Sequence, residues 1–224
     1  MSGIYTEHLK LRSRDVDMFR RLRSSELFKL LQEVSIRHTE QLGMGREKTL
    51  DRGILWVVMM QQAEITRMPE YDEEIVLKSW PGKTMHVLFP RYSELRTERG
   101  ERLVRASALW VLLDAGTRAF VFPEEHGISL PGMDRADQLP LPQNPAVCPA
   151  QAEVSFTVPY SYLDLAEDLL PDAFRDLPLR QIRIAHLQEA RLGQTIAVEL
   201  GGNDTLRTFS GRLGKPCFQL SLHY

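Results

Sequence analysis

Between Ser24 and Gly43 the chain carries Leu27, Leu30, Leu31, Val34, His38 and Leu42 at three- and four-residue spacing. Only an α-helix gathers such residues onto one side. Ser24-Ser25-Glu26 offers an N-cap and an acidic first turn, and Gly43 stops the run, so one helix of about five turns is predicted. A helix that long must bury its apolar stripe against something, and the chain beyond Gly43 offers only strands. Ile54–Met68 is rich in strand formers, and Glu74–Trp80, Val87–Arg96, Leu103–Leu113 and Arg118–Phe122 come after it with turns between them. Ahead of the helix, Tyr5, Glu7, Leu9 and Leu11 share one face of a further strand. Glu98-Arg99-Gly100-Glu101 separates two long alternating segments, a hairpin signature. One long helix with several long antiparallel strands implies an α+β fold in which a sheet wraps the helix.

Residues 131–149 hold five of the thirteen prolines and no periodicity. Proline cannot donate to a ladder, so this stretch reads as an extended linker. Beyond it the grammar repeats. Val154, Phe156 and Val158 alternate, Tyr160-Ser161-Tyr162-Leu163-Asp164 echoes the Arg12–Asp17 stretch, and TIAVEL at 195–200 matches EIVLKS at 74–79. Internal duplication is expected. The repeat does not close, however. Asp17 and Ile75 are 58 residues apart, whereas Asp164 and Ile196 are only 32 apart, with Pro171 interrupting the stretch between them. That leaves too little chain for a five-turn helix and its exit loop. The strands near Gly201–Asp204 and Ser210–Gly214 also look clipped.

At 224 residues the chain can bury a large core. A net charge of −2 gives no global pull toward nucleic acid or membrane surfaces. The longest apolar run, Ile54 to Met60, is far short of the roughly 20 residues of a membrane span. With no signal-like N-terminal segment, a soluble cytoplasmic protein is expected. Cys148 and Cys217 are expected to be free thiols, although their spacing leaves a single bridge open. The six histidines are scattered without metal-ligand spacing, and no nucleophile elbow, P-loop or dinucleotide fingerprint occurs. No metal or cofactor is therefore expected.

Several stretches carry a family resemblance. They are DVDMFRRLRSSELFKLLQEVSIRHTEQLG, GILWVVMMQQAEITRMPEYDEEIVLKSWP and RASALWVLLDAGTRAF, then FTVPYSYLDL and LPLRQIRIAHLQEARLGQTIAVEL. In this order and duplicated layout the chain resembles acyl-[acyl carrier protein] (acyl-ACP) thioesterases of the bacterial and plant type. The resemblance implies two tandem hotdog domains, at 1–130 and 150–224 around the linker, each an antiparallel sheet wrapped on a central helix. It also implies hydrolysis of fatty acyl thioesters to free fatty acid in fatty acid biosynthesis, without a cofactor. The implied partner is an acyl carrier protein, the chain being a monomer or a homodimer. Two alternatives on the same fold are an acyl-CoA thioesterase and a non-catalytic acyl- or carrier-binding protein.

In such thioesterases the second half carries an Asp-x-Asn-x-His-Val-Asn-Asn segment entering its helix and a glutamate on a following strand. Asp164 matches the Asp and Glu189 the glutamate, while the asparagine, the histidine and the first helical turns have no counterpart after Leu165. Either the natural product carries further residues there, or the protein lacks them and is inactive. By resemblance Glu189 activates water and Asp164 positions the site, against the bland readings of a surface carboxylate and a helix cap. Asp15 and Asp17 are expected to be structural, and His38 a core residue. His186 lies close to Glu189. The helix face of Leu27, Leu30, Leu31 and Val34 is core, part of which the resemblance places along the acyl tunnel. An acidic carrier would dock on basic residues, and Arg12, Arg14, Arg20, Arg21 and Arg23 form one candidate cluster, Arg175, Arg180 and Arg183 another.

Overall fold

The structure is a computed structural model that describes residues 3–157, 177–191 and 193–224. Asp164, Arg175 and the expected second helix lie outside the described residues. The helix, α1, spans Ser24–Gln41 and buries Leu27, Phe28, Leu31, Val34 and His38. Its start differs from the sequence expectation. Arg23 occupies the N-cap position without a side-chain cap bond, and Ser24 and Ser25 lie buried inside the first turn. Its end is as expected. Gly43 takes the left-handed conformation at φ 77°, its amide donates to Glu40 O, and the Met44 amide donates to Thr39 O. Those bonds satisfy the last carbonyls and turn the chain away.

Ten antiparallel strands form one sheet: β1 (Tyr5–Lys10), β2 (Ile54–Ile65), β3 (Glu74–Pro81), β4 (Phe89–Thr97), β5 (Arg102–Asp114), β6 (Ala150–Thr157), β7 (Gln181–His186), β8 (Thr195–Asn203), β9 (Leu206–Leu213) and β10 (Lys215–His223). Their order is β1-β3-β4-β5-β2-β7-β10-β9-β8-β6. Outward from the β2–β7 junction, each side runs through its second, fifth, fourth, third and first strand. EIVLKS in β3 and TIAVEL in β8 are both third strands, each paired with the first strand of its own side. The junction pairs Met60 with Ala185 through Glu64 with Gln181, and it begins where β2 bulges at Met59. One apolar cluster joins α1 to both sides, from Leu27 and Leu77 to Ile184 and Phe218.

Three expectations need correction. Arg118–Phe122 is not a strand, because only a single bridge, Leu113 to Phe120, forms there. The strands thought clipped are eight or nine residues long and joined by tight turns, with Asn203 opposite Leu206 and Leu213 opposite Lys215. Residues 131–149 are extended but not a free linker. Among the contacts that hold this segment, Met133 N donates to Pro81 O, Ser107 Oγ and Gln62 Nε2 donate to Pro140 O, and Cys148 N donates to Thr208 Oγ1. Within the segment, Leu139 is buried. The segment therefore straps the sheet face opposite α1, and its own backbone satisfies the polar side chains it covers. Cys148 and Cys217 are free, as expected.

Candidate active site

The last turns of α1, the loop after it, and the ends of β2, β4 and β5 enclose a cavity of about 370 Å³. Its walls are mostly apolar, with Ile36, Met44, Leu50, Ile54, Trp56 and Phe89 among them. Trp56 and Phe89 meet edge to face at 4.7 Å, one of the favoured aromatic geometries. The helix contributes Ser35, Ile36, Thr39 and Glu40. Leu27, Leu31 and Val34 instead belong to the core cluster, with Leu30 packed against it. The stripe that makes the helix is thus separate from the surface that meets the cavity.

Arg91 is the unexpected member. It stands in β4 on the row Phe89, Arg91, Ser93, Leu95, all buried on one face. Its Nε donates to Ser79 Oγ and its Nη2 reaches Ser35 O at 3.4 Å, while Nη1 is buried without a hydrogen-bond partner among the described residues. Burial pushes its pKa down to about 9. The guanidinium stays charged at neutral pH, and among the described residues no carboxylate bonds to it. The signal that could have found it is an arginine inside a strand-forming run, between Phe89 and Leu95, that is buried on both faces.

Glu189 lies three residues past β7, about half exposed. Both its oxygens are engaged by Arg118, whose Nε and Nη2 donate at 3.1 and 3.0 Å. Arg118 sits in the turn after β5, where Asp114 Oδ1 accepts from the amides of Gly116 and Thr117. That turn joins the start of β2 through the Ala115 amide, which donates to Gly53 O. Ile54, Leu55 and Trp56 come next and line the cavity. The ion pair and the cavity therefore lie at the same end of β2 and β5. Arg118 carried no sequence signal, since its partner is 71 positions away. His186 is partly buried, and burial lowers its pKa. Asp15 and Asp17 are structural as expected. Asp15 Oδ2 accepts from the Arg12 amide, and Asp17 Oδ1 accepts from the amides of Phe19 and Arg21.

A cleft of about 590 Å³ brings together arginines that the sequence left in separate groups. Arg21, Arg23, Arg67 and Arg180 line it with Asp17, Glu70, Leu177 and Tyr224. Among the described residues no cluster of His, Cys, Asp and Glu could hold a metal, and no helix is long and apolar enough to cross a membrane.

Comparison with known proteins bears on this arrangement directly. A family model described as the acyl-ACP thioesterase N-terminal domain matches residues 3–125. The chain belongs to the acyl-ACP thioesterase family. A chloroplastic acyl-[acyl-carrier-protein] hydrolase of Cuphea viscosissima is 26% identical over 121 residues, covering 51% of this chain and 29% of that protein. A chloroplastic palmitoyl-acyl carrier protein thioesterase of Cuphea hookeriana is 24% identical over 124 residues, again 51% of this chain and 29% of the relative. The match thus spans less than a third of these thioesterases. An acyl-ACP thioesterase from Bacteroides thetaiotaomicron superimposes with a TM-score of 0.86 at 17% identity, covering 100% of this chain and 99% of that one. The 12:0-ACP thioesterase of Umbellularia californica gives 0.82 at 16%, covering 100% and 97%. At such identities these two likenesses establish the fold. The family match ends at residue 125, before the strap, and so includes nearly all of the cavity wall but not Glu189.

Proposed function

We propose that the protein hydrolyses fatty acyl-ACP to free fatty acid and carrier thiol, using two tandem hotdog halves that meet along β2 and β7. The observation that carries this reading is an apolar cavity at the same end of β2 and β5 as the Glu189–Arg118 pair, in a member of the thioesterase family. An alkyl chain gains about 0.8 kcal/mol for each methylene it buries, which suits a cavity walled by Ile36, Met44, Trp56 and Phe89. In the proposed reaction Glu189 takes a proton from water, which attacks the thioester carbonyl. The tetrahedral oxyanion then collapses, and the thiolate leaves and is protonated. No acyl-enzyme forms, consistent with the lack of a nucleophile elbow in the sequence. Asp164 would position the reacting groups from the second half.

For the carrier we assign the cleft lined by Arg21, Arg23, Arg67 and Arg180. Arg21, Arg23 and Arg67 are paired with Asp17, Glu26 and Glu73 at partly exposed positions, and such pairs are weak enough for an acidic partner to exchange.

A second reading is a non-catalytic acyl- or carrier-binding protein. It is favoured by the engagement of both Glu189 oxygens and by the lack of a counterpart, directly after Leu165, to the family motif's asparagine and histidine. An exposed ion pair of this kind is worth only about 0–1 kcal/mol, so a bound substrate could open it. Replacing Glu189 with Ala separates the two readings. Thioester hydrolysis should fall at least about tenfold while acyl binding persists, tenfold being a barrier increase of about 1.4 kcal/mol. Unchanged turnover would remove Glu189 from the mechanism, and no turnover by the unmodified protein would favour the binding reading.

A further inference from the structure

Arg118 is exposed yet tightly held. It adopts the left-handed conformation at φ 62°, which residues with a side chain take rarely and only where their surroundings impose it. Here the turn imposes it. Asp114 Oδ1 accepts from the Gly116 and Thr117 amides and from Thr117 Oγ1, and the Arg118 amide donates to Asp114 O at 2.9 Å. Arg118 Nη1 donates back to Ala115 O within the same turn. One side of the guanidinium is thereby tied down, and its Nε and Nη2 face Glu189 as a fork. Glu189 has the opposite character. Just ahead of it the Leu187 and Gln188 amides donate to Cys217 O, but among the described residues Arg118 is the only group that bonds the Glu189 carboxylate. A free glutamate samples many rotamers, whereas one gripped at both oxygens by a planar fork keeps one orientation. The grip leaves room for chemistry, because a carboxylate offers about four acceptor positions and the fork takes two of them.

The contact also crosses the repeat. Arg118 follows β5, the fifth strand of the first side, and Glu189 lies between β7 and β8, the second and third strands of the other. The converse arrangement occurs at the far end of the β2–β7 junction. There Tyr224, just past β10, lines a cleft with Thr66, Arg67, Met68 and Glu70, which connect β2 to β3. Each side thus brings the exit of its fifth strand to the other side's connection between second and third strands. The meeting of Arg118 with Glu189 follows from how the two sides join. We infer that Arg118 is a positioning residue for the proposed reaction, supplied by the first side to hold the second side's Glu189 carboxylate in the orientation that takes a proton from water. The inference rests on Glu189 acting as in the proposed function.

The test measures turnover of acyl-ACP, and of the same acyl group on pantetheine, by the full chain. The wild type is compared with Arg118→Met, Arg118→Lys, Glu189→Ala and the double variant Arg118→Met, Glu189→Ala. Arg118→Met should lower kcat on both substrates by at least about tenfold while KM changes by less than about twofold. Its melting temperature should stay at the wild-type value, because an exposed ion pair adds little to stability. Arg118→Lys keeps the charge but has no fork, so it should recover only part of the rate. The double variant should be no slower than Glu189→Ala, because residues that act as one unit are not additive. If Arg118→Met does not fold, Arg118→Lys and its double with Glu189→Ala carry the test. Wild-type kcat in either folded Arg118 variant, a loss confined to acyl-ACP, or additive losses in the double variant would each overturn the inference and leave Glu189 in the mechanism. Unchanged turnover in Glu189→Ala, or no turnover by the wild type, would instead remove Glu189 from the mechanism and the inference with it.

Discussion

Gly211 lies opposite Phe218 in the β9–β10 ladder, beside the β10 bulge at Cys217. A Cβ built on Gly211 would stand 2.1 Å from the Phe218 ring. The ring is 2% exposed and belongs to the core cluster, so it has no free space to retreat into. Gly211→Ala should therefore destabilise the protein by about 1–3 kcal/mol, the range for overpacked cores. Chemical denaturation would read this as a lower midpoint at unchanged slope. An unchanged midpoint would mean that β9 and β10 separate more freely than their register implies. The sequence shows Gly211 only as one of several glycines near a turn, because its role depends on a ring seven positions away. Arg91 differs, since β4 is buried on both faces from Phe89 to Leu95 and any charged side chain in that run is enclosed. Glu189 was legible as a candidate only through the family pattern, and Arg118 not at all.

Among the elements, β7 and β10 form the ladder most sensitive to acid. His186 stands opposite Phe218 near one end of it and His223 opposite Gln181 at the other. Burial lowers both imidazole pKa values, and Arg183 adds to the effect at His223. The unfolded chain thus binds protons at these sites more readily than the folded one, so their contribution is present above about pH 6.5 and is lost as pH falls below it. A second loss sets in below about pH 4. The Glu73 carboxyl is held low chiefly by its bond from Arg67, so its contribution is present above the unfolded pKa and is lost as pH falls through the folded one. Thermal melts from pH 7.5 to 5 should show the first step, and a double His186→Gln, His223→Gln variant should flatten it. A step that survives the double variant would assign the acid sensitivity elsewhere. At this scale the sequence was most informative, because β3, β4, β5 and β8 each lie within a few residues of their predicted bounds. The failure at 118–122 has a local cause. Phe120 and Phe122 have strand-forming side chains but are more than half exposed, with no partner strand among the described residues beyond the bridge to Leu113.

For the whole molecule, the repeat inferred from EIVLKS and TIAVEL corresponds to strands of equal rank on the two sides of one continuous sheet. The sequence could not show that the two sides join edge to edge, because the β2–β7 pairing links residues more than a hundred positions apart. Nor could it show that residues 131–149 strap the first side, since extended polar chain reads alike whether free or docked. The same long-range closure brings Arg180 beside Arg21, Arg23 and Arg67, and it sets Glu189 against Arg118 at the cavity's end of β5. In the proposed function this assembly hydrolyses acyl thioesters presented by a carrier. The most direct measurement is the release of carrier thiol from acyl-ACP by the purified protein, with acyl-pantetheine of the same chain as comparison. Enzyme-dependent release is expected from both, with kcat/KM for acyl-ACP at least tenfold higher at low salt and converging toward the pantetheine value as salt screens the arginine cleft. Thiol release no faster than the uncatalysed rate would contradict the proposed function.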